Sequence, residues 1–85
     1  MAKIEVYSTA RCPYCVMAKQ FLERKGLKYK EIRIDADPAK RQEMMQKSRQ
    51  RTVPQVFIND EAVGGYTDLL ALERSQRLDK LLAQS

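Results

Sequence analysis

What most limits the fold of this chain is a change of hydrophobic period within its first third. Between Lys3 and Ser8, Ile4 and Val6 alternate with charged neighbours, the pattern of a half-buried strand. Over residues 13–25 the apolar positions Ala18, Phe21 and Leu22 instead share one face of a helix. Pro13 suits its first turn and Gly26 the residue just past its end. Ile32 and Ile34 then restore a period of two from Tyr29 to Ile34. Two strands joined by a crossover helix pair in parallel, so the chain opens with a βαβ unit.

Asp37-Pro38 marks the start of a second helix running to about Lys47, the carboxylate capping and the proline already set at a helical φ. Val56, Phe57 and Ile58 form a short apolar strand, Asn59 and Asp60 a turn, and Ala62 and Val63 a returning strand. Gly64-Gly65 ends the hairpin, and Thr67 or Asp68 can cap a last leucine-rich helical region, broken near Ser75. The order βαβαββα implies an α/β protein with a central four-stranded mixed sheet flanked by helices. With 85 residues, no linker and no repeat, it is expected to be one domain spanning 1–85.

Sixteen Lys and Arg stand against eleven Asp and Glu, a formal net charge of +5. The basic residues are interleaved with acids, as Lys25, Lys28 and Lys30 are with Glu23 and Glu31, so the surface reads as mixed and solvated and not as a nucleic-acid footprint. No apolar run is long enough to span a membrane, and residues 1–8 lack the pattern of a secretory signal. A cytoplasmic, monomeric protein that binds neither nucleic acid nor membrane is the expectation.

The two cysteines, Cys12 and Cys15, would close too short a loop to staple the fold. Histidine is absent, which removes the usual general base and the usual metal ligand. Cys12 falls where the first strand hands over to the first helix. Unpaired N–H groups and the helix dipole favour a thiolate there, and Arg11 and Lys19 are near enough in sequence to add positive potential. Cys15, one turn deeper, is within reach of the first sulfur, making Cys12 the nucleophile and Cys15 the resolving thiol. A zinc site would need further ligands from a second chain, and no metal is expected. Two indifferent core cysteines would not be expected to bracket Pro-Tyr at a helix start.

Two further segments carry chemistry, the first of which folds back against this helix mouth in the expected element order. In Thr52-Val53-Pro54, a cis Val53-Pro54 bond would present the Val53 backbone N–H and C=O to an extended peptide. In Gly64-Gly65-Tyr66-Thr67-Asp68 the opening helix could take a carboxylate while Asp68 accepts from an ammonium group, a pairing suited to the α-amino acid end of a glutamyl residue.

Cys-Pro-Tyr-Cys, Thr-Val-Pro and Gly-Gly-x-Thr-Asp, in this order and spacing, resemble a dithiol glutaredoxin of bacterial type across nearly the whole chain. The resemblance implies a thioredoxin fold and a glutathione-dependent thiol–disulfide oxidoreductase. By it, Cys12 takes glutathione from a mixed disulfide, and a second glutathione, a consumed co-substrate, resolves the adduct. For protein disulfides Cys15 resolves instead, leaving a redox-active Cys12–Cys15 bridge. Tyr14, Thr52, Val53, Pro54, Gly65, Tyr66, Thr67 and Asp68 are implied to line the glutathione groove, with Arg41 meeting the glycyl carboxylate. Partners are disulfide-containing or glutathionylated proteins, and the resemblance admits ribonucleotide reductase among them.

The sequence departs from the family at Thr9, where many members carry a lysine, and at Tyr66, often a smaller residue or cysteine. A thioredoxin recharged by a flavoprotein is disfavoured because Trp-Cys-Gly-Pro-Cys and tryptophan altogether are missing. An iron–sulfur carrier, with Cys12 and glutathione ligating a cluster across a dimer, is disfavoured by the Pro-Tyr pair.

Overall fold

The computed structural model describes residues 2–83; Met1, Gln84 and Ser85, which the expected domain span includes, lie outside the described residues. Strand β1 (Ile4–Ser8) leads into helix α1 (Pro13–Arg24), then β2 (Lys30–Arg33), α2 (Pro38–Ser48), β3 (Gln55–Ile58), β4 (Glu61–Gly64), α3 (Tyr66–Arg74) and α4 (Arg77–Leu82). The sheet order is β2-β1-β3-β4, with β1 parallel to β2 and antiparallel to β3, and β3 antiparallel to β4. The βαβ unit and the hairpin fall where the periodicity puts them. The expected break in the last helical region is the boundary between α3 and α4, where Gln76 takes a left-handed conformation with φ 62°.

Local chemistry accounts for each boundary. Pro13 and Pro38 occupy first-turn positions, and Asp37 Oδ1 accepts from Ala39 N at 3.0 Å. Gly26, with φ +72°, lets the chain leave α1. Asn59 and Asp60 both adopt positive φ, 51° and 68°, the backbone signature of a two-residue hairpin turn whose twist matches that of the strands. Asn59 also holds the turn to its surroundings, donating from Nδ2 to Leu81 O at 3.1 Å and accepting from Lys3 N at 2.9 Å.

The sheet separates two apolar layers. On one face Ile4, Val6, Val56 and Ile58 pack with Ala18 and Leu22 of α1, Leu69 of α3, and Leu78 and Leu81 of α4. On the other, Tyr7, Ile32, Ile34 and Phe57 pack with Met44 of α2. Tyr7 meets Phe57 edge to face at 5.5 Å and donates to Glu43 Oε2 at 2.6 Å; burial, with this carboxylate alongside, pushes the phenol well above its ordinary range. Among the described residues no helix is long and apolar enough to cross a membrane.

Candidate active site

Cys12 is the N-cap of α1, in extended conformation, and its Sγ accepts from Cys15 N at 3.0 Å. A sulfur held there faces the unpaired N–H groups of the first turn, and no acidic residue in that turn opposes a negative charge. Cys12 and Cys15 form a disulfide, with Cα atoms 5.1 Å apart. The two differ in access: Cys15 is wholly buried, whereas Cys12 is partly exposed. Cys12 Sγ also lies 3.7 Å from Val53 O, which brings the Thr52-Val53-Pro54 segment against the helix mouth.

The loop entering Cys12 is tied to the end of β2. Ala10 N donates to Asp35 Oδ2 at 3.1 Å, and Arg33 grips the same carboxylate with two hydrogen bonds of 2.8 and 2.7 Å. The guanidinium, helped by the Ala10 amide, holds the Asp35 carboxyl down at about 2. A carboxyl depressed by folding stabilises the native state above its ordinary range, and this contribution disappears as pH falls through about 2. Asp35→Asn should therefore flatten the acid side of the stability curve between about pH 4 and pH 2, as read from denaturant melts at a series of pH values. An unchanged acid limb would show that Asp35 does not hold the loop.

Lys19, expected to support a thiolate, is engaged elsewhere: its Nζ sits 2.8 Å from Glu31 Oε2, which also accepts from the buried Ser8 hydroxyl at 2.6 Å. Lys19 and Ser8 together hold the Glu31 carboxyl below its ordinary value. Arg11 is exposed next to Cys12.

Eight of the expected groove residues, Tyr14, Thr52, Val53, Pro54, Gly65, Tyr66, Thr67 and Asp68, line a single open cavity of about 410 Å³. The Val53-Pro54 bond is cis. Arg41 does not line the cavity; it stands exposed on α2. Gln50 and Gln55 also line it and were not anticipated. A polar Gln55 heading an otherwise apolar strand directly after the Thr-Val-Pro segment was the signal that could have found the second of them. Tyr66 packs partly buried against the core and stacks on Tyr14, with ring centroids 6.2 Å apart and planes at 26°. The departure at Tyr66 thus builds an aromatic wall at the cavity.

The far side of the cavity is the start of α3, and here one expectation is corrected. Neither Thr67 nor Asp68 is the N-cap. Gly65 is, and Asp68, at the third helical position, reaches back to accept from Gly65 N at 3.0 Å. A carboxylate three residues inside the helix satisfies an otherwise free amide as the return arm of a capping box does, so the helix begins at Tyr66. Among the described residues, no group of three or more His, Cys, Asp or Glu side chains could hold a metal ion.

The sequence model of the glutaredoxin family matches residues 4–63. A glutaredoxin of Pseudomonas aeruginosa is 48% identical over 83 residues, spanning 98% of this chain and 99% of its own. Glutaredoxin 3 of Escherichia coli is 46% identical over 82 residues, spanning 96% and 99% respectively. Among solved structures, the buckwheat glutaredoxin–glutathione complex superposes with a TM-score of 0.88 at 29% identity, covering 98% of this chain and 78% of that one. With the fold, the cysteine pair at the helix mouth and the cavity beside it in agreement, the chain belongs to the glutaredoxin family.

Proposed function

We propose that the cavity is the glutathione groove of a glutathione-dependent thiol–disulfide oxidoreductase, the activity of the glutaredoxin family, with Cys12 as nucleophile. The observation that carries this reading is the placing of a partly exposed Cys12 at the α1 N-terminus, 3.7 Å from Val53 O and beside the cavity. The glutathione complex of the buckwheat neighbour supports it. The Cys12 thiolate attacks the glutathionyl sulfur of a mixed disulfide; the S–S bond breaks, and the departing protein thiolate takes a proton from solvent. A second glutathione thiolate attacks the sulfur now attached to Cys12, forming glutathione disulfide and restoring the Cys12 thiolate. With a protein disulfide, the Cys12 thiolate bonds one protein sulfur as the other leaves as thiolate; Cys15 then attacks Cys12 Sγ, releasing the remaining protein thiolate and closing the Cys12–Cys15 bridge, which two glutathione molecules reduce as they become glutathione disulfide.

In the groove, the Val53 peptide group pairs with the cysteinyl backbone of glutathione, and the α3 N-terminus with Asp68 takes its glutamyl end. Tyr14 and Tyr66 form the aromatic wall, and Arg41 reaches the glycyl carboxylate from outside the cavity. Glutathionylated and disulfide-bearing proteins are the substrates, with ribonucleotide reductase a candidate, and the enzyme works as a monomer in the cytoplasm. Turnover of the mixed disulfide of glutathione and 2-mercaptoethanol, coupled to glutathione reductase, tests the reading. Activity that depends on a thioredoxin reductase and not on glutathione would overturn it. In the same assay Arg41→Ala should raise KM several-fold at low salt, the difference fading at high salt as screening grows. A silent Arg41→Ala would transfer the glycyl carboxylate to Arg11 or Arg51.

A further inference from the structure

We infer that Gln55 is a positioning residue, its buried carboxamide fixing the Thr52-Val53-Pro54 loop beside Cys12 and thereby setting the affinity for the glutathionyl group. Gln55 is 2% exposed, yet it heads a strand whose other members, Val56, Phe57 and Ile58, are apolar and buried. A polar side chain so placed is destabilising unless its hydrogen bonds are made within the protein.

Its Nε2 hydrogens face three oxygens, all in the preceding loop: Thr52 O at 3.0 Å, Thr52 Oγ1 at 3.2 Å and Gln50 Oε1 at 3.4 Å. The backbone of Gln55 is meanwhile paired with Tyr7 in the antiparallel β1–β3 ladder. Gln50 is itself tied to the end of α2, its N–H donating to Ser48 Oγ at 3.0 Å. The carboxamide therefore bridges the rigid sheet and the end of α2 through the loop between them. Val53, whose carbonyl lies 3.7 Å from Cys12 Sγ, is the residue next to the clamped Thr52.

A loop ordered in advance in its ligand-binding position spares the ligand the cost of ordering it. Loss of the carboxamide hydrogens should consequently weaken binding of the glutathionyl group. The Cys12 thiolate should be unaffected, because its stabilising donors belong to α1.

The inference rests on reading the cavity as the glutathione groove, so the test carries a control for that reading. Gln55→Met keeps approximate shape and removes the donors; Gln55→Leu, likewise without donors or charge, is read the same way where Met prevents folding. The expected result is a KM for the glutathione–mercaptoethanol mixed disulfide raised roughly fivefold, with kcat within about twofold. Carbamidomethylation of Cys12 by iodoacetamide, a small neutral reagent with no need of the groove, should keep its rate and pH midpoint in a Cys15→Ser background. Asp68→Asn, at the opposite wall, should raise KM independently. If Asp68→Asn raises KM and the Gln55 variant does not, the positioning role is overturned while the groove reading stands. If neither changes KM, the groove reading falls and the inference with it. A KM rise accompanied by slowed carbamidomethylation also overturns the inference, since Gln55 would then act on the thiol.

Discussion

Cys12→Ser should abolish turnover of every disulfide substrate, whereas Cys15→Ser should keep deglutathionylation and lose most reduction of protein disulfides. The asymmetry follows from access. Cys12 is partly exposed at the helix mouth, and Cys15, wholly buried behind it, can reach only the sulfur that Cys12 presents. A serine hydroxyl at position 12 is too weakly acidic to replace the thiolate, so loss of the nucleophile should cost at least about a thousandfold in kcat. With Cys15→Ser, a Cys12–glutathione adduct is still resolved by a second glutathione, and that rate should stay within about threefold of the parent. An adduct with a protein substrate, by contrast, loses its internal resolving thiol and waits for glutathione from solution. Parallel assays with the small mixed disulfide and with a disulfide-bonded protein check this. Equal losses in the two variants would remove the division of roles.

Gly64→Ala is expected to combine loss of stability with loss of glutathione affinity. Gly64 has φ +111°, a region that side chains rarely adopt. A Cβ built there would meet the Asp68 carboxylate, coming within 2.8 Å of its Cγ and 3.0 Å of its Cβ. Backbone strain of this kind costs of the order of 1–3 kcal/mol. Relief requires Asp68 to swing away, which breaks its hydrogen bond with Gly65 N and displaces a carboxylate from the cavity wall. A lowered melting temperature and a raised KM for the mixed disulfide should therefore appear together, with Cys12 carbamidomethylation unchanged. Gly65→Ala makes a gentler comparison, since a Cβ at Gly65 meets Pro54 O at an ordinary 3.5 Å. Equal behaviour of the two variants would contradict the steric account.

Signals carried by near neighbours in sequence were legible. Period changes placed β1, α1 and β2; proline and aspartate placed the helix starts; Asn59-Asp60 placed the hairpin. The three motifs located the cavity wall through the family resemblance they carry, since local pattern alone does not bring three separate runs around one cavity. What escaped depends on partners distant in sequence or on choices that local pattern leaves equal. Asp68 could serve equally well as a cap or as an arm reaching back to one, and only the backbone of Gly65 decides. Lys19 lies four residues past Cys15 in sequence, but Glu31, twelve residues further on, claims its charge. Whether Arg41 enters the cavity depends on how α2 lies over the sheet, which no local pattern records. Gln55 stands out in sequence as a polar residue heading an apolar strand, but its role is hidden there because the oxygens it donates to are assembled only when the loop folds back.

The cavity wall has one more consequence, which lies in breadth of use. Much of what it offers a ligand is main chain: the Val53 peptide group beside Cys12, the N-terminal amides of α3, and Gly65, which adds no side chain. Under the proposed reading, such a surface would recognise the peptide framework of the tripeptide and take little account of whatever polypeptide that tripeptide is attached to. With glutathione in the groove as proposed, the enzyme is expected to be a generalist, its clientele set by which modified cysteines protrude far enough to deliver their tripeptide to the cavity.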